Sequence, residues 1–408
     1  MKKTLLILAC AATAATMSAQ LQVVKDAEKA MKSGKDYSVV LQLITPAQSN
    51  PETEKDAAVF YIPGKAGFNQ YDNLLGKRQL GMLPEGGELT MAQALMGGMD
   101  NFFKALPLDT VVDAKGKVKT KYSKEIKNLI SGHYLDLTDA GAFFYSAKEY
   151  DNAIRAWDTF IELTDNADKY GIKALPDSTA SMYLWNAGLA AYENNDYKLS
   201  AKKLVEAGKR GYDKEILYQY GLQIAQQADD PDAIYFFACE GDKIYGNTDP
   251  RYVNGLINYY LNAQKYDDAT KFLNEAISKN PGTAQYYALL GIIYDAQDKS
   301  DDAAAQYHKA LSIDPDNGLA NHYLGRNLLI EAGRLGDAYD GPMNQYEAYK
   351  EQKQDPLFRE AIKYLETAYE KDPDRRKSTL NMLDQLYYNL NDQAGQESVK
   401  QRLLDLDD

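Results

Sequence analysis

Residues able to do covalent chemistry are sparse in this chain of 408 residues. His133, His308 and His322 are its histidines, and none stands at metal-ligand spacing from another His or from a Cys. Cys239 follows Phe236 and Phe237 with no basic neighbour, so it reads as a buried, inert thiol rather than a nucleophile. A nucleophile elbow, a phosphate loop and a dinucleotide fingerprint are all missing. Asp314-Pro315-Asp316-Asn317-Gly318 offers oxygen ligands but lacks the remaining spacing and terminal Glu of a calcium loop; a turn followed by a helix cap is the simpler reading. These residues lead to the expectation of no enzyme, no cofactor and no metal.

Side chains suited to binding are more conspicuous. Lys115, Lys117, Lys119, Lys121, Lys124 and Lys127 cluster in a chain of net charge −13. They read either as a solvated loop or as a dock for an anionic partner. The overall negative charge argues against nucleic acid as a partner. Asn254, Asn258 and Asn262 are four residues apart, which puts them on one face of a helix. Asn amides can pair with both the N–H and the C=O of an extended peptide. There are 32 Tyr against 11 Phe and 2 Trp, so most aromatic surface carries a hydroxyl.

The N-terminus reads as an export signal. Lys2 and Lys3 precede a short apolar run that ends in small residues, which predicts a signal peptide over residues 1–19 with the cut after Ala19. Cys10 leaves a lipoprotein box as a second, disfavoured reading. Loss of Lys2 and Lys3 would take the charge from −13 to −15, and loss of Cys10 would leave Cys239 alone, without a disulfide partner. The expected location is periplasmic or secreted. No other apolar run reaches 18 residues, so no transmembrane segment is expected after signal removal.

The elements that hold these residues follow a period. Pro281 and Pro315 stand 34 residues apart. With Pro315 as slot 32 of a 34-residue unit, Tyr287, Leu290, Gly291 and Tyr294 fall at slots 4, 7, 8 and 11. Ala303, Tyr307 and Ala310 fall at slots 20, 24 and 27. The first set shares one face of a helix A and the second one face of a helix B; small residues at 8, 20 and 27 let the pair approach. The same ruler finds Val253, Leu256, Tyr260, Ala269, Leu273 and Ala276; Leu217, Gly221, Ala233 and Phe237; Leu184, Gly188, Ser200 and Leu204; and Leu137, Gly141, Ala153 and Trp157. A Tyr at slot 17 (Tyr150, Tyr197, Tyr266) precedes helix B. Two copies are split, with Leu324-Gly325 answered late by Ala361 and Leu365, and Pro63-Gly64 by Gly98 and Phe102. Their inserts read as lengthened helices joined by a loop. Gly64 and Gly67 fall on slots 8 and 11, so helix packing accounts for them better than phosphate binding. Residues 108–126 lack the helical period and predict a short hairpin or extended loop.

This pattern resembles the tetratricopeptide repeat, over most of residues 21–408. The resemblance implies an all-α, right-handed superhelix of about eight helical hairpins. The expected divisions are 20–130 (N-terminal repeats with insert and Lys-rich loop), 131–315 (regular array) and 316–408 (split repeat and capping helices). It also implies a concave groove lined from helix A at slots 2, 5, 6, 9, 12 and 13. Those slots name Tyr145, Trp185, Asn186, Tyr192, Tyr218, Gln219, Arg251, Asn254, Asn258, Asn262, His322 and Arg326. The implied function is a non-enzymatic scaffold of the bacterial cell envelope that holds a protein or peptide; the alternative is a glycan-binding module. Arg251 alone accompanies Asn254 and Asn258, so capture of a C-terminal carboxylate by a basic clamp is not implied.

Overall fold

A computed structural model describes residues 21–112, 115–212, 214–245 and 249–407; the predicted signal segment and Cys10 lie outside them. The chain divides into two compact units, residues 1–237 and 238–408. Both are built from helices packed in consecutive antiparallel pairs.

In the first unit α1 (21–32) pairs with α2 (Tyr37–Gln48), and α3 (Ala58–Gln79) with α4 (Gly87–Leu108). A two-residue hairpin, β1 (Val111–Val112) and β2 (Val118–Lys119), leads to α5 (Ser123–His133). Then come α6 (Asp136–Ser146) with α7 (Tyr150–Asp165), the short α8 (Ala167–Tyr170), and α9 (Asp177–Glu193) with α10 (Tyr197–Lys209). α11 (Glu215–Gln227) and the start of α12 (Pro231–Tyr245) end the unit. The second unit has α13 (Pro250–Asn262) with α14 (Tyr266–Lys279), and α15 (Ala284–Ala296) with α16 (Ser300–Ile313). It continues with α17 (Gly318–Asp337), α18 (Tyr346–Lys353), α19 (Asp355–Lys371) and a last pair, α20 (Arg376–Asn389) and α21 (Gln393–Asp407).

Where slot 8 is Gly, slot 8 against slot 24 sets the closeness of the pair; α13–α14 has Ile257 there instead. A Cβ added at Gly291 would overlap the Tyr307 ring; at Gly141, the Trp157 ring; at Gly221, the Phe237 ring. The split copies obey the same rule. Gly64 faces Phe102 on α4, and Gly325 faces Leu365 on α19, across their inserts. Gly67 sets its backbone against Ala94 and Gly98, so the Gly64–Gly67 pair is a helix contact. The first insert lengthens α3 and α4 to 22 residues each, as expected. The second lengthens α17 to 20 residues but also folds as the separate α18, because Gly341-Pro342 breaks the helical run.

Turns repeat as well. Lys148, Asn195, Asp229, Gln264, Asp298 and Asn391 all have positive φ, each two residues past the end of a helix A. The left-handed residue lets the chain fold back so that the next N–H reaches a carbonyl five residues earlier, as in Lys299 N–H to Tyr294 O at 2.9 Å. Tyr150, Tyr197 and Tyr266 are the first residues of α7, α10 and α14.

Of the two readings for 108–126, short hairpin or extended loop, the structure has a hairpin that gives way to α5 at Ser123, and one carboxylate holds it. Asp109 is 4% exposed and accepts from the backbone N–H groups of Lys121, Tyr122 and Ser123 and from the Ser123 hydroxyl, at 2.7–3.0 Å. Burial raises its pKa, but these four donors outweigh burial and hold it below the ordinary Asp value.

Candidate functional site

The second unit carries an open groove of about 700 Å³ on the helix A faces of α13, α15 and α17. Its apolar floor is Ile257, Leu261, Leu289, Ile292, Leu319 and Tyr323. Leu289 and Tyr323 stand at slot 6, Ile292 at slot 9, Leu319 at slot 2, Leu261 at slot 12 and Ile257 at slot 8, so the floor lies beside the slots 4, 7 and 11 that fill the core, and Ile257, Leu289 and Leu319 are themselves buried. Beside the floor runs a line of amides. Gln285 Nε2 donates to Asn254 Oδ1 at 3.2 Å, and Asn317 Nδ2 donates to Gln285 Oε1 at 3.5 Å. Asn317 Oδ1 also caps α17 by accepting from Ala320 N–H at 2.9 Å, so the turn at 314–318 is a helix cap. The amides therefore link three successive A helices, while Asn258 stays exposed at the groove wall.

Charged residues from the end of α19, the turn that follows it and the α16–α17 turn form the rim. Lys371 Nζ pairs with Asp316 at 2.8 Å, and Arg375 with Asp372 at 2.8 Å. Asp314 and Asp374 also line the groove, so four carboxylates face two cations. Beneath the rim, His322 is 6% exposed and its Nδ1 meets the Thr379 hydroxyl at 2.8 Å. Burial, then the positive Arg375, pushes its pKa down to about 4; Asp372 opposes this and Arg326 adds to it.

The residues predicted for the groove separate into two sets. Asn254 and Asn258 come together in it, whereas Asn262 is exposed beyond its lining. Arg251 is folded back onto its own helix cap, with Nη2 2.6 Å from Asp249 Oδ2. Arg326 binds Asp295 at 2.8 Å and lies over the Tyr323 ring, supporting the groove wall from behind. Trp185 is 9% exposed and stacks on Tyr212 with centroids 5.2 Å apart. Tyr218 is also buried, as is His322. All three occupy slot 5, where a bulky side chain gains more by entering the packed layer than by facing water. Tyr145 packs on Tyr150 and Trp157, and Tyr192 on Tyr197. Gln219 donates to Glu215 at 2.7 Å, and Asn186 is half-buried. Cys239 is half-buried rather than fully enclosed. The prediction omitted Gln285, Leu289, Ile292, Leu319 and Tyr323, although the ruler places them at slots 2, 6 and 9.

Among the described residues no cluster of three or more His, Cys, Asp or Glu could hold a metal ion, and no helix is long and apolar enough to cross a membrane.

Residues 284–317, the α15–α16 hairpin and the turn after it, match the tetratricopeptide repeat family. No curated protein matches the chain. Among solved structures it is similar to YrrB, described as a TPR protein with an unusual peptide-binding site: 18% identity, 50% of this chain and 97% of that one, TM-score 0.31. It is also similar to the TPR2AB domain of yeast Sti1 in complex with pHSP90 (17%, 74% and 96%, 0.25). Human IFIT1, solved as a dimer with m7Gppp-AAAA, is a third (14%, 83% and 72%, 0.38). At such identities and scores none of them transfers a ligand or a partner to this chain.

Proposed function

We propose that this is a non-enzymatic scaffold that holds an extended segment of another protein in the groove of α13, α15 and α17. The observation that carries the reading is the pairing of an apolar floor with the Asn254–Gln285–Asn317 amide line. An extended peptide presents alternating side chains and a row of N–H and C=O groups; the floor takes the former and the amides the latter. With four carboxylates against two cations on the rim, neutral or basic segments are preferred. The basic N-terminus and following apolar run support an exported or periplasmic location in the bacterial envelope for this scaffold.

Selection from a random peptide library against the full chain tests this. Selected peptides should bind with at least tenfold loss in the triple variant Asn254→Ala, Asn258→Ala, Gln285→Ala, since each lost hydrogen bond contributes about 1 kcal/mol. Peptides that bind the triple variant as well as the parent would remove the groove from the account. The glycan reading rests on Tyr323, the one aromatic ring among the described residues of the lining. A glycan array that gives binding abolished by Tyr323→Ala, with no peptide selected, would favour it.

A further inference from the structure

We propose that the first unit contains a second, chemically opposite site: a lysine-lined pocket that takes an amphipathic anion, meaning a carboxylate or phosphate head on an apolar body. The pocket, of about 910 Å³, lies where the end of α4, the hairpin, α5, α7 and α8 meet. Its volume falls in the range of small-ligand sites. One wall is apolar. Phe103 and Leu106 come from the last turns of α4, and the buried Tyr170 meets Phe103 edge-on with centroids 6.1 Å apart. The other wall is cationic, with Lys124 and Lys127 from α5 and Lys169 from α8.

Three features point to an anion. First, Lys124 and Lys127 are three residues apart on one helix, where like charges repel. Among the described residues no ion pair neutralises them or Lys169, whose Nζ sits 5.1 Å from the Tyr170 ring centre. Second, among the described residues Glu162 is the single carboxylate in the lining, so three cations face one anion there, in a chain of net charge −13. Third, the N-terminus of α5 is already occupied by Asp109, so recognition falls to the lysine side chains and not to the helix end. Ammonium groups on long flexible stems suit a head of variable geometry, and the apolar wall supplies the contact that a bare inorganic anion would not use.

Calorimetric titration of the full chain with dodecanoate and with dodecyl phosphate, each below its micelle concentration, tests the assignment. Dodecyl maltoside and acetate serve as controls. At least one of the anionic amphiphiles should bind, and which one binds separates carboxylate from phosphate recognition. The maltoside and acetate should not bind. The exposed-residue variant Lys124→Gln, Lys127→Gln, Lys169→Gln should weaken binding at least tenfold with unchanged circular dichroism, and the Asn254→Ala, Asn258→Ala variant should bind as the parent does. Equal binding of dodecyl maltoside, silence of both anions, or a triple lysine variant that binds like the parent would overturn the proposal. Binding of a Glu/Phe peptide where both amphiphiles are silent would also overturn it.

Discussion

The groove of the second unit and the lysine pocket of the first differ in how they are made. The groove is a product of regularity: three successive A helices turn the same side to it, and amides and apolar side chains from different slots come side by side because the helices do. The pocket is a product of interruption. It exists where a non-repeating hairpin and two extra helices, α5 and α8, break the stack. Their charge is opposite, with an acidic rim on one and lysines on the other. The repeat therefore supplies the amide line and apolar floor of the groove, while the lysine pocket is built on an insertion.

Their supports also titrate in different windows. His322, under the groove rim, has its pKa lowered from 6.5 to about 4. Its neutral form is favoured in the folded state, so this contribution is fully present above pH 6.5 and is lost as pH falls from there toward 4. The shift corresponds to about 3 kcal/mol at the acid end. Hydrogen exchange across 318–379 should show this loss of protection, and His322→Asn should remove its pH dependence. An unchanged slope in that variant would break the contrast.

Asp109 loses its contribution in the same direction but in a more acidic window. Its pKa is depressed, so its contribution is present above the ordinary carboxylate range and is lost only when pH falls through its lower folded value. Asp109→Ala leaves three part-buried N–H groups without their acceptor, and should cost about 2–3 kcal/mol. Exchange should rise across 109–133, with the amphiphile response lost and the groove unaffected. Persistence of the hairpin in that variant would show that the pocket does not depend on one carboxylate.

The smallest effects probe the repeat itself. Gly291→Ala forces a Cβ into the Tyr307 ring and should destabilise the second unit by about 2 kcal/mol. Gly333→Ala, within α17 and with no atom within 4 Å of the new Cβ, should stabilise by about 0.5 kcal/mol through helix propensity. Denaturant midpoints that move in the same direction for both would undo the slot argument.

The repeat was readable because each slot has a steric job. Gly at 8 opposite a large residue at 24 survives even when 30 or more residues intervene, as between Gly64 and Phe102. Facing is less readable than packing. The ruler says that slot 5 points toward the groove side, but not that Trp185, Tyr218 and His322 sink into the packed layer while the smaller Asn254 remains accessible. The lysine cluster was visible as composition. Its pocket was not, because Lys169 and Tyr170 join it only through the packing of α8 against α5. Asp109 gave no signal, since a lone Asp more than ten residues from its donors looks like any surface acid.

Site-specific photo-crosslinking tests the central claim most directly. A benzophenone side chain would be placed at position 258, in the groove wall, and separately at 271, on the exposed face of α14. Mass spectrometry of cross-links formed with a peptide selected from the library would then be read. The account predicts adducts at 258, abolished by Asn254→Ala with Gln285→Ala, and none at 271. Equal adduct yield at the two positions would contradict it.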